Sequence, residues 1–375
     1  MPLVTSPPAT QLRLHGLDHL RALAITLVFF FHYQLGYFGH PDWVSTYATF
    51  GWTGVDLFFV LSGFLVSSHL FEQVSKQKTI QWSAYAGKRF FRIMPAYLLV
   101  VVVYFTCPFF REKEGLPPLW TFLTFTQNTG LNVRDAGTFS HAWSLCVEVH
   151  FYLALPLFVS LVVRNRRVSL LFGLLGLLVV GGFLLRSQNW NRFYLPAIGS
   201  RDEYVNWYQY VYYPTYNRLD GLLVGVAIAG VASFLPSVWN RLAAHGNWFL
   251  GLGLSLLTGA YFLCENEQSY AASVAGFPLV ALGYGLLVTA AVLPSGVLSR
   301  STSRFTAFMA RISYALYLSH KGVIHVTQTL LSQFSIDTSN SITLLISIGS
   351  CTLIATLIYY VVELPVLAWY RATNR

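Results

Sequence analysis

Long apolar runs recur from one end of the chain to the other, and no polar block between them is large enough to fold by itself. Hydrocarbon gives backbone N–H and C=O groups no water to bond, so a run that enters it closes its own hydrogen bonds as a helix. Crossing takes about 20 residues. Stretches near 17–36, 51–71, 93–110, 143–163, 168–186, 217–235, 247–264, 273–293, 308–331 and 342–368 come close to that length. They predict an all-α, polytopic transmembrane bundle of about ten helices, a multi-pass plasma-membrane protein with one integral domain over 1–375. Only 10% of the residues are charged, against roughly 25% in soluble domains. Residues 1–16, rich in Pro, Thr and Ser, read as a flexible tail, with no cleavage signal after the first apolar run and no soluble domain expected after the last.

The formal charge of +9 would suit nucleic acid, but in a membrane chain surplus Lys and Arg collect in cytoplasmic loops. With the amino terminus inside, 15 of the 24 cations fall on the inner side: Arg13; Lys76, Lys78, Lys88, Arg89 and Arg92; Arg164, Arg166 and Arg167; Arg241; Arg300, Arg304 and Arg311; Arg371 and Arg375. The opposite loops hold six: Arg111, Lys113, Arg134, Arg186, Arg192 and Arg201. Both termini are therefore expected in the cytoplasm, and nucleic acid is not an expected partner. Cys107, Cys146, Cys264 and Cys351 stand singly, without the spacing of a zinc site or a disulfide framework. No metal is expected.

Ionisable residues inside spans are costly and usually face a cavity or a partner. The first run carries Arg21 and His32, eleven residues apart. On a helix that spacing puts both on one face, about 16 Å apart along the axis. His32 is either a structural residue bonded at the interface or a general base, with Glu148 or Asp56 as the carboxylate that would fix its tautomer. Asp56 could instead cap its helix or pair with Arg218. Arg89 and Arg92, at i and i+3 before the third run, either anchor that helix or form an anion site. Asp18 is the local partner expected for Arg21. His320 and Lys321 fall mid-span, and one of them should face a cavity; Glu363 offsets the arginines. Trp120, Trp190 and Trp207, with many tyrosines in the loops around 111–142 and 187–216, suit either an interfacial belt or a sugar-binding mouth.

Several of these pieces together resemble one family, the membrane acyltransferase-3 family of bacterial O-acyltransferases that modify surface glycans. Asp18, Arg21 and His32 meet its first-helix pattern, and Arg89, Arg92, Ile93, Pro95 and Tyr97 meet its Arg-x-x-Arg-Ile-x-Pro-x-Tyr pattern. Gly54-Val55-Asp56-Leu57-Phe58-Phe59, Trp143-Ser144-Leu145 with Glu148, Arg218-Leu219-Asp220, Ser313-Tyr314 with His320, and Glu363 with Pro365 follow in order. The chain departs from the pattern at His19, where the family often has Gly, and at Val149-His150, where it often has a second acid.

The resemblance implies a bacterial inner-membrane enzyme. It would transfer an acyl group, acetyl foremost, from cytoplasmic acyl-coenzyme A to a hydroxyl of an extracytoplasmic or lipid-linked glycan, with membrane lipid around it. Arg21, Arg89 and Arg92 would hold the coenzyme A phosphates. His32 would be the base, with Glu148 and Asp56 as catalytic carboxylates and a covalent acyl-histidine as the mechanistic rival. Arg218, Asp220, Trp143, Ser144 and His320 would bind substrate, with Ser144, Trp143 or a backbone amide as donor to the developing oxyanion. The competing class is a transporter or flippase that uses the same buried Asp, Glu, His and Arg to move protons or substrate.

Overall fold

The structure is a computed structural model that describes residues 15–36, 38–75, 80–165 and 168–374. Arg13, Lys76, Lys78, Arg166, Arg167 and Arg375, all assigned above to the cytoplasmic side, lie outside the described residues, as does most of the 1–16 tail. Among the described residues there is no strand, and ten helices have 15 residues or more. These are α1 (His15–Gln34), α2 (Gly54–Ser75), α3 (Trp82–Thr106), α4 (Trp143–Asn165), α5 (Val168–Asn189), α6 (Asp220–Phe234), α7 (Gly246–Leu263), α8 (Phe277–Val292), α9 (Arg304–Gln333) and α10 (Ser341–Ile358).

Each expected apolar stretch thus carries a helix, but length and apolarity single out fewer spans than ten. Six described stretches are long and apolar enough to cross a membrane: Asp42–Ser75, Trp82–Thr106, Ser140–Ser160, Val168–Ala197, Ala272–Val292 and Ser341–Thr373. A seventh results if α6 and Pro236–Leu263, bent by 106° at their junction, count as one. The long helices α1 and α9 are not in this set. They carry Asp18, Arg21 and His32 on one and Arg311, His320 and Lys321 on the other. Both bury one face against neighbouring helices and leave Leu23 on one and Phe305 and Leu330 on the other exposed.

Helix α1 packs against α9, α2 and α8, and α2 lies along α6. The last contact is made through glycine. A Cβ on Gly63 would run into the Leu222 carbonyl, and one on Gly225 into the Val60 carbonyl and the Phe64 amide. Small residues let two backbones approach this closely, and in lipid such close van der Waals packing takes over from the hydrophobic effect as the force joining helices. Ser303 and Asn340 cap α9 and α10, accepting from the amides of Thr306 and Thr343 at 3.3 and 2.8 Å.

Gly63→Leu and Gly225→Leu should each lower the melting temperature of the detergent-purified protein and cut its yield, because backbone rather than a mobile side chain blocks the new Cβ. Gly251→Leu, at a position with open space around it, should leave both unchanged.

Candidate active site

His32 stands near the carboxyl end of α1, where the α1–α9 contact brings it against His320. The hydrogen bonds fix the tautomers of both rings. His320 Nδ1 lies 3.1 Å from the Leu316 carbonyl and 2.8 Å from that of Tyr317. Carbonyl oxygens only accept, so His320 carries its proton on Nδ1 and Nε2 is left as an acceptor. His320 Nε2 sits 3.1 Å from His32 Nδ1, which is also 2.9 Å from the Val28 carbonyl. Both neighbours of His32 Nδ1 are acceptors. The His32 proton therefore sits on Nδ1 and the Nε2 lone pair is free, with no hydrogen-bond partner among the described residues.

A third imidazole completes the cluster. The His141 ring lies 4.8 Å from that of His320 and 5.8 Å from that of His32, and its Nε2 donates to the Leu318 carbonyl at 3.3 Å. No group among the described residues is arranged to hold a metal ion. His32 and His141 line a cavity of about 230 Å³ together with Trp143, Ser140, Lys113 and Lys321. Lys321 pairs with Glu112 at 2.9 Å and donates to Ser140 at 3.3 Å. Of the mid-span pair, Lys321 faces the cavity, while His320 is fully buried behind His32.

A second cavity, of about 150 Å³, lies beyond Tyr317 and Val55, which line both. Its walls include Arg21, Arg89, Arg92, Glu148, Tyr152 and Tyr314. Arg21 and His32 thus serve successive cavities from one helix. Arg92 pairs with the buried Glu363 at 2.7 Å, and the Arg89 and Arg92 guanidiniums lie over the rings of Tyr152 and Tyr314 at 5.8 and 5.7 Å. Arg89 also borders a third cavity with Lys88, His69 and Gln73, of about 290 Å³. Between the first two cavities the Tyr317 hydroxyl donates to the His141 carbonyl at 2.5 Å, so the Ser144 hydroxyl, 2.6 Å away, must donate to Tyr317. Its proton is committed there and is not free for an oxyanion.

The carboxylates stand elsewhere than a ring-orienting role requires. Glu148 accepts from Ser62 at 3.2 Å and from Tyr152 at 2.8 Å, on the arginine side. Asp56 takes two bonds from Arg218, at 2.8 and 2.9 Å, and Asp220 takes two from Arg186, at 2.6 and 3.2 Å. The Arg218 guanidinium is enclosed by the rings of Trp143, Tyr212 and Phe277, 5.1, 4.4 and 4.1 Å from its carbon. Neither Arg218 nor Asp220 lines the His32 or the arginine cavity. Arg218 is held by Asp56 and aromatic walls and Asp220 by Arg186, the geometry of structural ion pairs. Arg186, counted above as a loop cation, is fully buried in α5, and Trp207, expected at an interface or mouth, is fully buried with its indole N–H on Ser273 at 2.8 Å.

The acyltransferase domain model matches residues 14–361. The chain belongs to this acyltransferase family. It is 25% identical over 381 aligned positions to a Staphylococcus aureus protein named O-acetyltransferase OatA, covering 94% of this chain and 57% of that protein. It is 27% identical to the Listeria monocytogenes peptidoglycan O-acetyltransferase OatA, covering 94% and 55%. The chain therefore spans a little over half the length of these relatives. No solved structure matches it.

For this acyltransferase-family chain the sequence reading overlooked His141, Glu112 and Tyr317. His141 stands two residues before the Trp143-Ser144 motif, a proximity that marks it in retrospect. Glu112 lies in a loop whose packing onto α9 no local spacing reveals.

Removing one partner of a buried ion pair leaves the other charge stranded, at about 3–5 kcal/mol. Arg218→Met should strongly lower the melting temperature, and adding Asp56→Leu should restore most of it. If the double variant were no better than the single, Arg218 would be needed for more than holding Asp56.

Proposed function

We propose that the protein is a membrane O-acyltransferase that moves an acyl group, acetyl foremost, from acyl-coenzyme A to a hydroxyl of a glycan or glycolipid. The observation that carries this reading is the His32 ring, whose proton is held on Nδ1 while its basic Nε2 opens on a cavity. The family supports acyl transfer over transport, and the relatives' names support acetyl and a cell-wall glycan. Arg21, Arg89 and Arg92 would hold the phosphates of the donor, since guanidinium forks match phosphate oxygens. The donor's thin arm would pass Tyr317 to reach His32. Lys88, Arg89 and Arg92, in the first half of α3, support a cytoplasmic arginine end, with both termini on that side.

The acceptor oxygen attacks the thioester carbonyl carbon as its proton passes to His32 Nε2. The carbon–sulfur bond then breaks, and the departing thiolate takes the proton back from the imidazolium, so that free coenzyme A leaves and His32 is neutral again. Throughout, Nδ1 keeps its proton on the Val28 carbonyl and His320, the orienting task that a carboxylate performs in other triads. Lys321 and Lys113 bring positive charge to the wall where the carbonyl oxygen becomes negative. Asp56, Arg218 and Asp220 hold the scaffold, and Glu148 shapes the donor cavity.

The test uses purified protein in lipid nanodiscs with radiolabelled acetyl-coenzyme A, following binding, hydrolysis and label transfer. His32→Ala should abolish turnover and leave donor affinity within about twofold, while Arg89→Ala with Arg92→Ala should weaken donor binding about tenfold or more. The opposite pattern rejects this division of roles. His320→Ala should lower kcat far more than it raises KM for the donor, because His32 loses its fixed tautomer but the arginine cavity is untouched.

A further inference from the structure

The His32 cavity does not end at its own rim. Phe31, Leu35, Trp52, Tyr204 and Tyr208 line it and also line a neighbouring cleft of about 410 Å³, so the two spaces adjoin at these side chains. The far wall of the cleft is the loop after α7, where Glu265, Asn266, Glu267 and Gln268 stand opposite the aromatic residues. Gln34 and Thr49 add an amide and a hydroxyl.

Three properties of this cleft define what fits it. One wall is aromatic, with the Tyr204 and Tyr208 rings 4.7 Å apart and Tyr204 half exposed. The other is made of planar amides and carboxylates, which bond hydroxyl groups in pairs. No Lys, Arg or His is among its lining residues in the described part of the chain. An apolar face joined to a row of acceptors and donors is the counterpart of a pyranose ring, with its C–H face and equatorial hydroxyls. Two acids without a cation exclude a polyanion, because like charges in a cleft repel and a buried carboxylate has nothing to neutralise it.

Glu267 strengthens the case. Its carboxylate has no hydrogen-bond donor among the described residues, although burial pushes its carboxyl up to about 7, Arg218 pulling the other way. The other ionisable groups that sense it are Tyr204, Tyr208, Tyr212 and Cys264. A half-buried acceptor on a cleft wall is a group waiting for a donor.

Building on the acyltransfer reading, we propose that this cleft is an acceptor subsite that holds an uncharged sugar unit beside the one being acylated, with Tyr204 and Tyr208 under the ring and Glu267 accepting its hydroxyls. The subsite selects for neutral glycans over uronic-acid or phosphorylated ones at the position next to the reactive hydroxyl.

Direct binding tests this without any donor. Full-length protein in nanodiscs is titrated with chitotetraose, maltotetraose and tetragalacturonate, read by saturation-transfer NMR from aromatic protons. At least one of the two neutral oligosaccharides should bind saturably and tetragalacturonate should not. Glu267→Ala should weaken the neutral ligand about tenfold, as expected for one hydrogen bond to a charged group. Tyr204→Ala, at a half-exposed position, should remove the transfer signal while acetyl-coenzyme A binding stays intact. Affinity should rise between pH 6 and 8 as Glu267 ionises, and Glu267→Gln should flatten that rise. If neither neutral sugar binds, or tetragalacturonate binds equally well, the subsite is refuted. Donor hydrolysis that persists in that case leaves the acyltransfer reading standing, and sugar binding without donor turnover would refute only the latter.

Discussion

A charge buried among helices must meet its counter-charge on another helix, and this requirement organises the molecule. Asp56 near the start of α2 meets Arg218, just before α6, and Asp220 at the first turn of α6 meets Arg186 on α5. These two pairs fix three helices at one end, at the level where α6 begins. Glycines then let α2 and α6 run backbone to backbone below them. Arg218 in this unit packs on Trp143 of α4 and on Tyr212, which are also walls of the His32 cavity.

Much of the helix layout was legible because apolarity over about 20 residues is a property of the chain itself. The number of spans was less so. α1 and α9 are helices of the right length, yet the charged and polar residues they carry keep them out of the set that length and apolarity single out. Side-chain partners were the least legible. Asp56 offered a helix cap or a pair with Arg218 while the resemblance gave Arg218 to substrate, and His32 offered two carboxylates when its neighbours are Val28 and His320. Such contacts are lateral, between residues 162 and 288 positions apart, and no local spacing records them. Trp207 misled for the same reason, since an aromatic-rich loop can fold inward as readily as it can face a membrane.

In the proposed mechanism the histidine pair would replace a carboxylate by an imidazole as the group that orients the base. A carboxylate would bring a full negative charge into a low-dielectric cluster and would itself need a partner. His320, held by two backbone carbonyls, does the orienting without adding charge. The carboxylates are instead spent where cations need them, Glu112 on Lys321, Glu363 on Arg92 and Asp56 on Arg218.

Tyr317 has a consequence beyond catalysis. The His32 and arginine cavities meet at its side chain, whose hydroxyl closes a chain of hydrogen bonds from Ser144 to the His141 carbonyl. Two water-accessible pockets that merged across a bundle would form a pore, and a pore would let ions drain the gradient that energises the cell. Tyr317 and Val55 stand where the two cavities meet, so on the proposed transfer path an extended acyl arm would have to displace the Tyr317 contact. On that reading the bundle would pass a chemical group without holding an open channel for ions.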